Sequence, residues 1–261
     1  MKQFVQNELQ HLPGLQSAFA RLAVRYHFRP IPRSTLSETS ALLANAWRSE
    51  SIPARQRRVV EAELAAFRRR QAVPVFDALV DIVKRNVSEP EGGTFLEIGC
   101  SSGYYSEVLR CGGINVRYHG CDYSAAFIRM ARELYGAELF DMEDATSLSY
   151  GSSTFDIVMS GCCLLHIIDY NSAIAEASRV AKAYVLFHRT PVLHLSGPTF
   201  YTKKAYGQEM VEIHFNEQEL VRQFCRNGLH VIDVNTHLST TEHGRREPLF
   251  YKTYLCRKAT C

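Results

Sequence analysis

Residues 94 to 109 read Thr94-Phe-Leu-Glu-Ile-Gly-Cys-Ser-Ser-Gly-Tyr-Tyr-Ser-Glu-Val-Leu109, and this stretch decides the fold. Phe95-Leu96-Glu97-Ile98 is a short apolar run with one acid near its end, the pattern of a buried parallel strand. Gly99 and Gly103 bracket a tight turn, and Tyr104 to Arg110 reads as the start of a helix. Strand, glycine turn and helix N-terminus together set backbone N–H groups and a positive dipole end at one edge of a sheet, where a nucleoside-bearing ligand can sit. A dinucleotide site needs three glycines spaced G-x-G-x-x-G, so that the backbone can approach a pyrophosphate. Here the spacing is Glu97-x-Gly99-x-x-x-Gly103, with Ser101 in place of a middle glycine. The acid would repel a pyrophosphate but can hold the amino group of an amino acid.

The stretch resembles motif I of the class I S-adenosylmethionine-dependent methyltransferases, usually (D/E)-x-G-x-G-x-G, from which Ser101 departs. A second run, Asp144-Ala145-Thr-Ser-Leu148-Ser-Tyr150-Gly-Ser-Ser-Thr-Phe155-Asp156-Ile-Val158, is similar position by position to that family's D-A-x-x-L-P-F-x-D-x-S-F-D-x-V. The resemblance covers about residues 73–257. It implies an α/β fold, a seven-stranded doubly wound Rossmann-like sheet with a helical N-terminal extension, and S-adenosyl-L-methionine as cofactor. By the same resemblance, Glu97 positions the methionine amino group with the backbone of Gly99 and Ser160, and Ser101 and Gly103 complete the turn. Asp122 receives both ribose hydroxyls, and Asp144 and Ala145 meet the adenine, with Asp141 and Glu143 as competitors for that register. Tyr104 and Tyr123 either pack on the cofactor or belong to the core.

Downstream of motif I, strand and helix alternate, as in a parallel sheet covered on both faces. Strands are expected at Val116–Cys121, Glu138–Phe140, Phe155–Ser160 and Tyr184–His188, and helices at Ala125–Tyr135 and Tyr170–Ala181. The family's frequent Pro-Gly-Gly turn before the strand at Tyr184 is missing. Residues 189–215 read as a long aromatic and basic insertion. Asn216 can cap a helix over Glu217–Asn227, closed by Gly228. Leu229–Val234 and Leu249–Cys256, joined by a polar loop, make the final hairpin.

Upstream, residues 1 to about 88 read as helical, punctuated by Leu12-Pro13-Gly14 and Pro30-Ile31-Pro32. Ser34–Trp47 carries apolar residues at helical spacing, Pro53 can open a helix, and Val73–Val87 is the clearest amphipathic segment. Ser88–Gly93 ends it. Two regions follow: 1–90, a helical cap that binds the acceptor, and 91–261, the sheet domain with its insertion at 189–215.

The 261 residues can bury a sizeable core, with 46% hydrophobic and 22% charged residues as in ordinary globular proteins. No apolar run approaches the roughly 20 residues of a membrane span. The N-terminus lacks the apolar core of a signal peptide, so a cytoplasmic location and no membrane partner are expected. The eight cysteines contain no C-x-x-C pair, and neither zinc nor any other metal is expected. Residues 1–90 carry 14 Lys and Arg against 8 Asp and Glu. Because the arginines are interspersed with Glu61 and Glu63, a solvated helix face explains them better than a nucleic-acid surface.

Methyl transfer to a hydroxyl needs a base for its proton, and histidine has a suitable pKa. His166, which follows Ser160-Gly-Cys-Cys-Leu-Leu, and His188, which ends the fifth strand, are the candidate catalytic bases. Each is as readily a structural residue. Arg189, His194, Tyr201 and His214 are candidate acceptor-binding residues, and Arg189 can hold an acidic group. No (D/N)-P-P-(Y/F) motif or Pro-Cys nucleophile follows the fourth strand, and His188-Arg189-Thr190 stands where catechol-type enzymes place metal-binding acids. The expected reaction is metal-independent O-methylation of a small molecule or glycan. The rivals are a nucleic-acid methyltransferase, a nicotinamide-dependent oxidoreductase and a non-catalytic cofactor-binding protein. Neither the acceptor nor the oligomeric state follows from the sequence.

Overall fold

The computed structural model describes residues 28–87, 92–240 and 247–259. The Leu12-Pro13-Gly14 punctuation and most of the Ser88–Gly93 break lie outside them. The sheet is built around β2 (Thr94–Ile98), whose residues Phe95 to Ile98 are all buried because helices cover both faces. In parallel with it run β3 (Arg117–Asp122) on one side and β5 (Phe155–Gly161) on the other. Beyond β3 lies β4 (Phe140–Met142), and beyond β5 lies β6 (Ala181–Leu193). The antiparallel β10 (Leu249–Lys258) pairs with β6, and β9 (Leu229–Thr240) pairs with β10.

These seven strands match the expected sheet, but three more join it. β6 runs for 13 residues, past the end of β5, and its Val192 and Leu193 pair in parallel with Phe215 and Asn216 of β8 (Gln208–Asn216). β8 pairs with β7 (Thr199–Ala205), and β7 with β1 (Phe28–Pro30). The expected seven-stranded sheet is therefore corrected to a ten-stranded mixed sheet. The insertion at 189–215 is a strand end followed by a hairpin rather than a loop. Its turn, Tyr206-Gly207, has φ of 51° and 81°, the two-residue geometry that matches the twist of antiparallel strands. Along β8, Val211, Ile213 and Phe215 enter the core while Met210, Glu212 and His214 face the other way. The expectation of helix throughout residues 1–88 is corrected at Phe28–Pro30, which extends the sheet instead. The short strand expected at Glu138–Phe140 lies at Phe140–Met142, behind a 3-10 turn.

The N-terminal region supplies α1 (Leu36–Leu43), α2 (Ile52–Arg68) and α3 (Pro74–Asn86). α2 and α3 carry proline in the first turn, where a missing N–H costs nothing. α3 buries Phe76, Leu79, Val80 and Val83, each contributing about 1.5–3 kcal/mol. The sheet's own helices are α4 (Tyr104–Cys111), α5 (Ala125–Tyr135), α6 (Tyr170–Val180) and α7 (Glu217–Arg226). Asn216 caps α7 by accepting from the Glu219 N–H at 3.0 Å. Among the described residues, no helix is long and apolar enough to cross a membrane.

Candidate active site

The carboxyl ends of β2, β3, β5 and β6 lie along one edge of the sheet, where open α/β folds bind ligands. Backbone geometry there is unusual. Gly99 and Gly103 have φ of 72° and 74°, and three non-glycine residues, Ser101, Cys162 and Arg189, also adopt left-handed φ. Such conformations cost about 1–3 kcal/mol each and persist where the surrounding structure enforces them. A Cβ on Gly99 would lie 2.4 Å from Cys163 Sγ, and one on Gly103 would lie 2.6 Å from the Phe140 ring. Both positions need glycine for conformation and for space.

Glu97 is 1% exposed and accepts a hydrogen bond from the Tyr118 hydroxyl. Burial pushes its carboxyl well above the usual range, and the nearby Asp122 adds to the shift. No cation pairs with it among the described residues, so it is suited to a ligand ammonium. Asp122 accepts from the Ser101 N–H at 3.0 Å on one oxygen and from the Ser124 N–H at 2.9 Å on the other. Burial raises its pKa to about 6 against the pull of those amides. Each oxygen keeps a lone pair, enough to receive two vicinal hydroxyls. The hydroxyls of Ser102 and Ser124 beside this turn are buried without partners. An unpaired acid, an acid with spare acceptors and a glycine turn fit the aminoacyl and ribose parts of S-adenosylmethionine.

Ser160 is buried opposite Ile98 and Phe187 at the end of β5. Tyr104 is buried, with its ring 4.4 Å from Tyr105. Tyr123 reaches over the edge to the cap, its hydroxyl donating to the Ala44 carbonyl at 3.3 Å beneath the Arg48 guanidinium. Asp144 is exposed and folds back on the Thr146 N–H at 2.8 Å, while Ala145 packs on the core. Glu143 is engaged by Ser149, and Asp141 by His119 at 2.8 Å. Asp144 therefore has the least encumbered carboxylate of the three.

The candidate acceptor residues separate into three places. His166 lies under the cap, its Nδ1 2.7 Å from the Val211 carbonyl and its ring 4.7 Å from Trp47. A carbonyl only accepts, so Nδ1 carries the proton and Nε2 holds the lone pair. Burial lowers the pKa of His166, and the Glu212 carboxylate opposes that shift. Nearby, Glu212 and His214 are fully buried, with Lys203 Nζ 2.7 Å and His214 Nε2 3.2 Å from the carboxylate. The Lys203 charge holds Glu212 well below the usual carboxylate range despite its burial. Tyr201 and Phe28 pack on the His214 ring at 4.6 and 5.4 Å.

His188 and Arg189 form a second group. Phe187 opposes Tyr254 and Thr190 opposes Lys252, so two residues of β6 face the single Thr253 of β10 in a β-bulge. His188 bonds Thr253 Oγ1 through Nδ1 at 2.7 Å, and its Nε2 is buried without a partner. His194 stands apart. It pairs with Glu217 at 2.9 Å and stacks on Phe250, so it is not brought to either group.

Reading the sequence missed Trp47, Tyr105 and His237. Tyr105 was hidden behind its neighbour Tyr104. His237 falls in the segment expected to be a polar loop, whereas β9 continues to Thr240. No group of three or more His, Cys, Asp or Glu among the described residues is arranged to hold a metal ion. A surface hollow between α2 and α5 is lined by residues such as Arg57, Ala62 and Met130, and no strand-end residue borders it.

Comparison with known proteins gives a consistent picture. A family model described as a methyltransferase domain matches residues 96–187. An O-methyltransferase of Penicillium expansum is 27% identical over 114 residues, which span 41% of this chain and 41% of that relative. The structure of a Burkholderia thailandensis 1,6-didemethyltoxoflavin N1-methyltransferase, with its acceptor and S-adenosylhomocysteine bound, aligns with a TM-score of 0.58 at 18% identity. That alignment covers 89% of this chain and 95% of the other. A Methanosarcina mazei S-adenosylmethionine-dependent methyltransferase aligns with a TM-score of 0.54 at 21% identity, over 69% of this chain and 98% of the other. At these identities the two structures speak for the fold.

Proposed function

We propose that the chain is a class I S-adenosylmethionine-dependent methyltransferase that methylates an oxygen of a small molecule, without a metal, between the strand ends and the N-terminal cap. S-adenosylmethionine supplies a methyl group on a sulfonium that is already a good leaving group, so the protein's work is positioning and proton removal. Glu97 holds the ammonium, Asp122 the ribose hydroxyls and Asp144 the adenine amine, with Tyr104 and Tyr123 flanking the cofactor. The cap covers the acceptor side, with Trp47 packed against His166. The match to the Penicillium O-methyltransferase supports oxygen as the acceptor atom.

The observation that carries the reading is the tautomer of His166. With Nδ1–H donated to Val211, its Nε2 is free to take a hydroxyl proton, and buried Glu212 favours the imidazolium that results. His188 is the weaker base, because burial, His237 and the Arg189 charge all disfavour its protonation, whereas at His166 the Glu212 carboxylate opposes burial. Replacing His166 with Gln keeps a polar side chain and removes the base. It should lower kcat about 10²–10⁴-fold while leaving S-adenosylhomocysteine affinity unchanged. Unchanged turnover of the folded variant would remove His166 from the chemistry.

A further inference from the structure

The β6 bulge sets Arg189 out of the strand's regular pairing, within electrostatic reach of the first residues of α4. With φ of 59° its side chain leaves the regular alternation of the strand, and its charge is felt by Tyr104, Tyr105, Tyr206 and His237. Elsewhere Arg57, Arg68, Arg85, Arg129 and Arg179 each meet a carboxylate. Arg189 does not: among the described residues it has neither an ion pair nor a hydrogen bond. Its strongest electrostatic neighbours are the Cys162 thiol and the Tyr105 and Tyr104 hydroxyls, and the carboxylate that follows them, Glu63 of α2, acts on it only through space.

A second bulge faces the first. Leu238 opposes Tyr251 and Thr236 opposes Lys252, which leaves His237 as the extra residue of β9 and turns it inward. Its ring lies 5.7 Å from that of His188, and the Tyr105 ring lies 5.3 Å from His188 on another side. Three polar atoms in this group are buried without any partner: Tyr105 Oη, His188 Nε2 and His237 Nδ1. A buried orphan costs about 1–3 kcal/mol, so three beside one unpaired guanidinium need a common explanation. Burial and the Arg189 charge hold His237 down at about 4, so its imidazole is neutral near pH 7. Its Nδ1 can then donate a proton without adding charge.

We infer that this group is the acceptor's anchor, and that the acceptor is a small molecule bearing an oxyanion held by the Arg189 fork with donors from Tyr105 and the paired imidazoles. A planar carboxylate matches the guanidinium in bidentate fashion, and a phosphate shares that chemistry. The inference rests on the methyl-transfer reading for its meaning, because it names what the acceptor side takes, but the anion site can be measured without turnover. His188 becomes a binding group here, and deprotonation stays with His166.

The test uses the full chain loaded with S-adenosylhomocysteine, titrated with benzoate, phenyl phosphate and neutral benzamide by calorimetry. Benzoate or phenyl phosphate should bind and benzamide should not, and whichever anion binds tighter identifies the oxyanion. Arg189→Met should weaken that binding about tenfold or more, and Arg189→Lys, which keeps the charge but loses the fork, should fall between. The Arg189→Lys variant also guards against misfolding, because folding is checked by its unchanged S-adenosylhomocysteine affinity. Equal binding of benzamide and the anions, or anion binding unaffected in both folded variants, overturns the proposal. Neutral acceptors methylated without any anion binding would overturn it while leaving methyl transfer standing. Selective anion binding without methyl transfer to any acceptor would do the reverse.

Discussion

Replacing Asp122 with Ala tests whether the carboxylate that anchors the strand-end turn also receives the cofactor's ribose. In the free protein its two oxygens accept from the Ser101 and Ser124 N–H groups at 3.0 and 2.9 Å. Removing it orphans two buried amides, at about 1–3 kcal/mol each. It also removes a buried acid whose pKa stands at about 6 rather than 3.8, a relief of about 3 kcal/mol at neutral pH. The two effects oppose, so fold stability should change by no more than about 3 kcal/mol. The cofactor has no such compensation. Two hydroxyl hydrogen bonds to a charged acceptor contribute about 1.5–3 kcal/mol each, and with non-additivity their loss should cost about 2–4 kcal/mol. That corresponds to roughly 30- to 1000-fold weaker S-adenosylhomocysteine binding by calorimetry. Unchanged affinity in a variant with a native circular dichroism spectrum would refute the assignment of the ribose to Asp122.

The pH dependence should have two signs. A folded pKa of about 6 against 3.8 makes Asp122 favour the folded free protein below pH 3.8, and that stability is lost as pH rises through about 6, so the melting temperature of the free protein should fall over this range. Ligand affinity should run the other way, dropping as pH falls below about 6, since the hydroxyls bind the ionised acid; a flat affinity profile across pH 5–7, for which about a tenfold fall is expected, would contradict this. Lys203→Met leaves fully buried Glu212 with only the His214 contact at 3.2 Å. Breaking a buried ion pair costs about 3–5 kcal/mol, so with Lys203 partly exposed a loss of about 3 kcal/mol in urea unfolding is expected, and a neutral result would show that Glu212 is protonated in the fold.

Much of this was legible in the sequence, for identifiable reasons. The buried strand Phe95–Ile98, the helix at Ala125–Tyr135 and the cap at Asn216 depend on local pattern, and their residues carry that pattern plainly. Nearby Asp122 follows from its place at the end of a strand. The hairpin at 199–216 was missed because Lys203, Lys204 and Glu212 break the apolar alternation, although Tyr206-Gly207 between two β-forming runs was a readable turn. Strand 28–30 could not be foreseen, since its partner β7 lies more than 170 residues away. The two bulges have no local signature at all. They arise where β6, β9 and β10 must fit one another, and they alone bring Arg189, His188 and His237 together. That is why His237, ordinary in the sequence, joins the candidate site in the fold.

The central claim is that the edge formed by Glu97, Gly99, Gly103 and Asp122 accepts a sulfur nucleoside rather than a pyrophosphate. Calorimetric titration of the full chain with S-adenosylhomocysteine and, separately, with NAD tests it most directly. Saturable one-to-one binding of S-adenosylhomocysteine and no heat from NAD is the result expected. Binding of NAD with no response to S-adenosylhomocysteine would contradict it.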